Sequence, residues 1–424
     1  MSTSSIPATL RMTPRDYQAF DALFELSSRI GATAAGGLHR LTASAEDQQV
    51  RDAFCTWLSR QGFDVKIDEI GNIFGLITLR PGAPWLLCGS HLDSQPLGGR
   101  FDGAYGVTAA ATTLAALARQ LREQNEPAQY NLAVVNWTNE EGARFQPSLI
   151  GSSFFTGAVT LDEALACTDA DGITLDAALQ AIGYRGTALP PLPLRAYLEL
   201  HVEQGPHLEQ QRKQIGVVTE TWAALKWQVT FRGEQNHTGP ALMSRRRDAL
   251  LAAAQTIVAV RAEADRHGEV LHTSVGRLAT TPNSPNVVTS EATVWIEFRS
   301  ADEALLHQLR ASFSQQMQSI ALATATDVSL DRAQFRPRQQ LDSLLAQRAL
   351  HLAQRSGLSA IPLRSVAGHD AISLSYHCPS ALLFVPSVGG LSHNEHEFTA
   401  TEDLHRGLDL LMALLSDLLL EETA

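Results

Sequence analysis

The sequence has little cysteine, no long apolar run and no block of like charge, and each shortage removes a class of protein. Its four cysteines, Cys55, Cys88, Cys167 and Cys378, lie far apart and form no CxxC pair. A zinc ribbon needs paired thiols and a small secreted fold needs a disulfide framework, so neither is expected; reduced thiols in a cytoplasm fit the pattern. No stretch approaches the roughly 20 apolar residues that span a bilayer, and the N-terminal MSTSSIPATLRM lacks a basic region followed by an apolar one. A soluble, untargeted protein with no membrane partner is the expectation. The formal charge of -12 carries no long single-sign run. Phosphate binding requires a clustered basic surface, which argues against a nucleic-acid partner, and the triplet Arg245-Arg246-Arg247 reads as a solvated or internally paired patch. A GxSxG nucleophile elbow is also missing, which argues against serine hydrolase chemistry.

What is present is the composition of a folded globular chain, 44% hydrophobic and 18% charged, and 424 residues favour two or more compact units. From about Asp16 to Arg60 the apolar spacing is helical, and FDVKIDEIGNIFGLITL then alternates like strands around a Gly71-Asn72 turn signal. PWLLCGSHLDS is a short apolar run that ends in polar residues, and VTAAATTLAALARQL reads as a buried helix after a Gly-rich loop. NLAVVNWTNEEGARF is another apolar strand that stops at carboxylates. This succession is α/β. Between about Val217 and Arg332 the pattern changes to WQVTFRG, a helix through DALLAAAQTIVAVRAEA, then LHTSVGRLAT and EATVWIEFRS, which suggests an α+β sandwich inserted at 217–332 between two parts of a larger domain, 1–216 and 333–424.

Ligands of open α/β sheets gather outside the carboxyl ends of the strands, so polar clusters just after apolar runs are candidate site residues. Three such clusters are His91 to Asp93, Glu140-Glu141 and His201 to Gln204, and a fourth, SHNEHE, follows ALLFVPSVGG. Imidazole and carboxylate suit a hard or borderline divalent cation. Adjacent glutamates at a strand end could point one carboxylate at a cation and leave the other to deprotonate an activated water, although such a pair also suits a solvated helix start. Asp93, two residues beyond His91, would share its side of an extended segment and could fix the histidine tautomer, or else form an Asx turn with Ser94.

Seven segments, GSHLDSQPLGGRFDGAYGV, WTNEEGARFQPSLIGS, LELHVEQGPHLE, GEQNHTGPALMSRRRDAL, PNSPNVV, AGHDA and VGGLSHNEHEFT, occur in an order that resembles the hydantoinase/carbamoylase amidohydrolases, part of a dinuclear-metal clan of aminoacylases and carboxypeptidases. The resemblance runs from about residue 70 to 400. It implies an aminopeptidase/carboxypeptidase-like catalytic domain and an inserted lid and dimerisation domain, with two divalent cations (Zn, Mn, Co or Ni) per subunit. Asp102 would bridge the cations, His91 and His201 complete one site, and Glu141 and His393 the other; Glu140 would be the general base and Asp93 the orienting acid. The family pattern of a ligand histidine followed four residues later by glutamate selects His393 with Glu397 and leaves His396 a bystander. Gln204, His237, Asn286, Arg299 and Gly368 would contact substrate, with His369 and Asp370 open in role, and His237 could act on the neighbouring subunit's site. Arg299 suits a carboxylate because its planar fork binds bidentately.

Two departures stand beside these positions: HTGPALM for the more usual HAGPTPM after His237, and VAGHDA for SGAGHDA. The implied reaction is hydrolysis of a small carbamoyl amino acid or ureide. QPLGGRFDG favours N-carbamoyl-L-amino acids over allantoate, ureidoglycolate or β-ureidopropionate. An aminoacylase or peptidase of the same clan would use the same five ligands. A non-catalytic relative would lack a ligand or the base, and none is missing.

Overall fold

A computed structural model describes residues 10–420, and the residues 1–9 read above for a targeting signal lie outside it. The chain forms two compact units, Met1–Thr219 with Gln340–Ala424, and Glu220–Gln339. The second is a few residues longer at its C-terminal side than the change of pattern near Arg332 suggests, because a strand continues through that point.

The first unit begins with helices α1 (Pro14–Arg29) and α2 (Ala45–Arg60) and strands β1 (Asp64–Ile67), β2 (Ile73–Ile77) and β3 (Trp85–His91). Helix α3 (Ala104–Gln124) and strand β4 (Asn131–Trp137) follow, then short helices α4 (Ile150–Phe155), α5 (Leu161–Leu165) and α6 (Leu175–Ala181), strand β5 (Leu194–Val202), one turn of helix α7 (His207–Gln210) and strand β6 (Ile215–Thr221). The inserted unit holds β7 (Ala223–Arg232), β8 (Asn236–His237), α8 (Ala249–His267), β9 (His272–Thr281), β10 (Val287–Val288), β11 (Glu291–Ser300), α9 (Glu303–Ala323) and β12 (Asp327–Arg336). The first unit resumes with α10 (Ser343–Arg355), β13 (Ala360–Ser365), α11 (Asp370–Ser375), β14 (Ser380–Val385) and α12 (Thr401–Leu419).

An eight-stranded sheet in the order β1-β2-β4-β3-β5-β14-β6-β13 organises the first unit. Its four central strands, β4, β3, β5 and β14, run parallel, so their C-terminal ends share one edge. Strands buried on both faces need continuous apolar sequence rather than alternation, and every residue of NLAVVNW in β4 and SALLFV in β14 is buried. Helix α3 can sit close to this sheet because its sequence is rich in alanine and places Gly106 at the contact: a Cβ there would come 2.3 Å from the Leu200 carbonyl oxygen. Tyr105 Oη donates to the Leu404 carbonyl at 2.8 Å, joining α3 to α12 across the buried layer.

The inserted unit has an antiparallel four-stranded sheet, β12-β7-β11-β9, and a separate ribbon of β8 and β10. In β11 buried and half-buried residues alternate strictly, as expected for a sheet with one face covered. Trp227, Val229 and Phe231 of β7 and Val294, Ile296 and Phe298 of β11 pack there with Leu306 and Phe313 of α9.

Candidate active site

Each of the four central strands delivers a polar cluster at the same sheet edge. His91 is the last residue of β3, His201 the penultimate residue of β5, Glu140 and Glu141 follow β4 by three and four residues, and His393 lies in the loop after β14. Asp102 comes from the turn into α3. The glutamate pair does not start a helix; the chain turns through Asn139 (φ 57) and Gly142 (φ 64), with the Asn139 amide donating to the Phe145 and Pro147 carbonyls.

Two ligand triads result, His91-Asp102-His201 and Asp102-Glu141-His393, each with its donor atoms within 4.8 Å of one another and both sharing Asp102. Asp102 Oδ1 lies 3.6 Å from His91 Nε2 and 3.2 Å from His201 Nε2, and Oδ2 lies 3.2 Å from His393 Nε2, which is 3.5 Å from Glu141 Oε2. The first triad is buried, whereas the His393 side chain is 49% exposed. Glu140 belongs to neither triad but brings Oε2 to 3.5 Å from His91 Nε2. His396 is exposed and in neither triad.

Burial raises the Glu140 and Glu141 carboxyls, with neighbouring acids adding to the effect, and Glu141 reaches about 7. Burial also pushes Asp102 up, but hydrogen bonds with His201, His393 and His91 outweigh it and hold that carboxyl well below the usual range. For His91, burial works downward while the carboxylates of Glu140, Asp102 and Asp93 hold the imidazolium well above its ordinary value. Asp93, Asp102, Glu140, Glu199, Asp370 and Glu397 are all buried. So many carboxylates exceed what three histidines compensate, and buried charge is costly unless paired. Divalent cations held by these triads would offset that excess, and His with carboxylate is a donor set they accept.

Asp93 meets the imidazole with both its main chain and its carboxylate. Its main-chain carbonyl lies 2.9 Å from His91 Nδ1 and its carboxylate Oδ1 lies 3.7 Å from the same nitrogen. The carboxylate also accepts from the backbone N–H of Glu140 and Glu141, each at 3.3 Å, and from Thr42 Oγ1 at 2.9 Å. Gln204 Nε2 donates to Asp102 Oδ2 at 2.9 Å. Gly368 is half-buried in the loop before α11, next to His369, whose ring meets that of His201 edge-on at 4.6 Å.

Several supporting residues escaped sequence reasoning. Gln95 donates its backbone N–H to Glu141 Oε1 at 3.1 Å and its amide to Oε2 at 2.9 Å. Gly103 (φ 65) abuts His91 so closely that a Cβ would meet the ring at 2.3 Å. The buried Arg40 donates to the Leu92 carbonyl at 2.6 Å, between His91 and Asp93. Gln95 and Gly103 lie inside the motif GSHLDSQPLGGRFDG, the signal that could have found them; Arg40 had none.

In the inserted unit, His237 on β8 is exposed, pairs in register with Val287 of β10, and has Asn286 close by, whose carbonyl accepts from Thr238 N–H at 3.3 Å. Arg299 lies near the far end of β11 and contacts Glu297 at 3.0 Å. The ribbon leaves the sheet at the Glu291 end, so eight residues of β11 separate it from Arg299, about 26 Å at 3.3 Å per residue. Within one chain His237 and Asn286 are together and Arg299 is remote from both.

A mixed sheet whose central parallel strands gather two imidazole–carboxylate triads around one aspartate at their C-terminal edge is the arrangement of a metal-dependent hydrolase. The description Peptidase family M20/M25/M40 matches residues 87–417. An N-carbamoyl-L-amino-acid amidohydrolase of Rhizobium meliloti is 34% identical over 92% of this chain and 94% of its own, and an allantoate amidohydrolase of Bacillus subtilis (strain 168) 31% identical over 92% and 95%. The crystal structure of a hydantoinase/carbamoylase family amidase from Burkholderia vietnamiensis matches with TM-score 0.91 and 35% identity, covering 97% of this chain and 98% of that one. The chain therefore belongs to the M20 peptidase family and, within it, to the hydantoinase/carbamoylase amidohydrolases. It is a hydrolase of a metal-dependent family. No helix among the described residues is long and apolar enough to cross a membrane.

Proposed function

We propose that this enzyme hydrolyses the ureido C–N bond of an N-carbamoyl-L-amino acid, giving the amino acid, ammonia and carbon dioxide. The observation that carries this is the pair of triads sharing Asp102, with Glu140 outside both at 3.5 Å from His91 Nε2. The N-carbamoyl-L-amino-acid relative and the QPLGGRFDG segment support this substrate; the allantoate relative, nearly as similar, supports allantoate as the second reading.

Two divalent cations, drawn from Zn, Mn, Co or Ni, would be held by His91, Asp102 and His201 and by Asp102, Glu141 and His393, and when bound they supply Lewis acidity and make water a nucleophile near neutral pH. Glu140 takes the proton of the attacking water. The oxygen bonds to the carbamoyl carbon, the carbonyl electrons move to its oxygen, and on collapse the C–N bond breaks while Glu140 passes the proton to the leaving amine. Carbamate released in this way falls apart to carbon dioxide and ammonia. Asp93 keeps Glu140 and Glu141 in place through their N–H groups. Arg299 holds the substrate carboxylate, Gln204 and Gly368 line the substrate, and His237 and Asn286 donate to the developing oxyanion.

His237 and Asn286 come from a second copy of the chain in a homodimer formed through the inserted unit. The separation of about 26 Å along β11 supports this, since one small substrate cannot touch both ends of the sheet. Residence in a reducing cytoplasm is supported by four cysteines that form no disulfide.

Ammonia release from N-carbamoyl-L-amino acids, allantoate and β-ureidopropionate, set beside amine release from N-acyl amino acids, tests the reading. Turnover of acyl amino acids alone sinks it. Glu140→Gln should lower kcat by about 10²–10⁴-fold with cation content unchanged, as for loss of a general base; retained activity removes Glu140 from its role.

A further inference from the structure

Arg40 lies outside every strand and helix and is not itself a candidate ligand, yet its side chain is wholly buried. Nε donates to the Leu92 carbonyl at 2.6 Å, and Nη1 donates to the Ser27 and Ile30 carbonyls at 2.7 and 2.9 Å. Nη2 lies 3.4 Å from Ser27 Oγ. Among the described residues no carboxylate accepts from this guanidinium. A buried charge needs compensation, and here it comes from the C-terminal end of α1, whose last carbonyls carry the negative end of the helix dipole. Capping the helix in this way requires only Nη1 and Nη2. The bond from Nε to Leu92 is a second use of the same planar group, and it leads to the cation site.

The main chain reinforces that hold. Arg40 N–H donates to Ser94 Oγ at 3.0 Å, and Ser94 N–H donates to the Arg40 carbonyl at 2.9 Å. Residues 92 and 94 are thus fixed on either side of Asp93, whose carboxylate accepts from Thr42 at 2.9 Å. The place of Asp93 decides how His91 is presented. Ring Nδ1 is 2.9 Å from the Asp93 carbonyl and 3.7 Å from its carboxylate, which leaves Nε2 to face Asp102 at 3.6 Å. A hydrogen bond at one ring nitrogen fixes both the tautomer and the direction of the other.

We propose that Arg40 is a positioning residue of the His91-Asp102-His201 triad: its guanidinium ties the end of α1 to the Leu92 carbonyl and so sets the angle at which His91 meets a cation. Helix α1, which supplies no ligand, is thereby part of the cation site. The inference rests on the triads holding cations, not on which substrate is cleaved. Replacing the Arg40 side chain removes the Leu92 bond but leaves the main-chain pairing with Ser94, and with it the neighbouring Gln95 that holds Glu141. The effect therefore falls on the first triad and spares the second.

The test titrates the metal-stripped, full-length chain with Co²⁺ alone in two parents that each keep one triad: His393→Ala, which leaves His91-Asp102-His201, and His201→Ala, which leaves Asp102-Glu141-His393. In the His393→Ala parent, Arg40→Lys keeps the buried charge but offers one nitrogen where Nε and Nη1 serve two directions. It should weaken Co²⁺ binding by about 10-fold and Arg40→Met by up to about 100-fold, the range for losing an outer partner of a metal ligand. In the His201→Ala parent both substitutions should leave Kd nearly unchanged. Urea midpoints report the helix cap separately. Lower midpoints with Co²⁺ affinity kept in both parents would make Arg40 a cap of α1 only and overturn the proposal, as would equal loss from both parents. If Arg40→Met does not fold, Arg40→Lys decides. A His393→Ala parent that binds no Co²⁺ overturns the reading of that triad as a cation site, and this proposal with it.

Discussion

Asp102 carries more of the site than any other residue, because its two oxygens face three imidazoles and an amide from three other parts of the chain. Its placement depends on Gly103, and the dependence can be measured. At φ 65 and with the His91 ring 2.3 Å from any Cβ, Gly103→Ala must push the ring away as well as strain the backbone. The expected result is loss of at least one equivalent of bound cation by elemental analysis and a stability cost of about 1–3 kcal/mol in urea unfolding; full cation content would show that the ring has room to move. Residue types at this scale were readable in the sequence, since His, Asp and Glu after apolar runs suggest cation ligands. Their partners were not, because Gln95 and Arg40 are of types that occur anywhere, and the Asp93 carbonyl that reaches the His91 ring belongs to the backbone. His393 lies within reach of Asp102 and Glu141 while His396, three residues on, does not; the φ of 52 at His393 that turns the loop is a backbone property no side-chain pattern announces.

The elements matter through their ends. Strand β4 stops at Trp137, and the backbone beyond it is held by a chain of hydrogen bonds from the β1–β2 turn. Thr138 N–H donates to Asn72 Oδ1 at 2.8 Å, and the Asn72 amide donates to Asp68 Oδ2 at 2.7 Å. Burial pushes the Asp68 carboxyl up to about 7, against the N–H donors of Asn72 and Ile70 that favour its anion. The folded value thus lies above that of an unfolded aspartate, near 4, so between these limits the folded protein holds more protons than the unfolded one. Stability contributed below about pH 4 is lost as pH rises through about 7. In cation-loaded protein the urea midpoint should fall from pH 5 to pH 8, and Asp68→Asn, which cannot titrate, should show a smaller fall although it is less stable at pH 5; identical pH dependence would remove Asp68 as a source. Gly71-Asn72 was legible as a turn, as were the buried run of β4 and the alanine-rich α3. That the turn supports the Glu140 strand end was not, because it depends on strand order β1-β2-β4, and neighbours in a sheet are chosen by packing rather than by sequence adjacency.

For the whole molecule, the proposed division of labour between two copies makes a distinctive prediction. His237→Ala and Glu140→Gln should each be nearly inactive, and a refolded equimolar mixture should recover about a quarter of wild-type activity, since half the dimers are mixed and one of their two sites is complete. No recovery would place His237 and Glu140 in one chain's site. The sequence by itself determined the family, the α/β class, the presence of an inserted α+β segment and the residue types of the site, because each is written in local pattern: apolar runs, glycine-rich turns and ligand types after strands. Only the tertiary structure decided that residues 91, 102, 141, 201 and 393 converge on two triads with one shared aspartate, that His237 and Asn286 lie at the opposite end of the inserted sheet from Arg299, and that the Gln204 amide donates to Asp102. The reason is physical. Convergence follows from parallel strands that bring distant segments to one edge, and the direction of an amide follows from which acceptors surround it, neither of which is a property of neighbours along the chain.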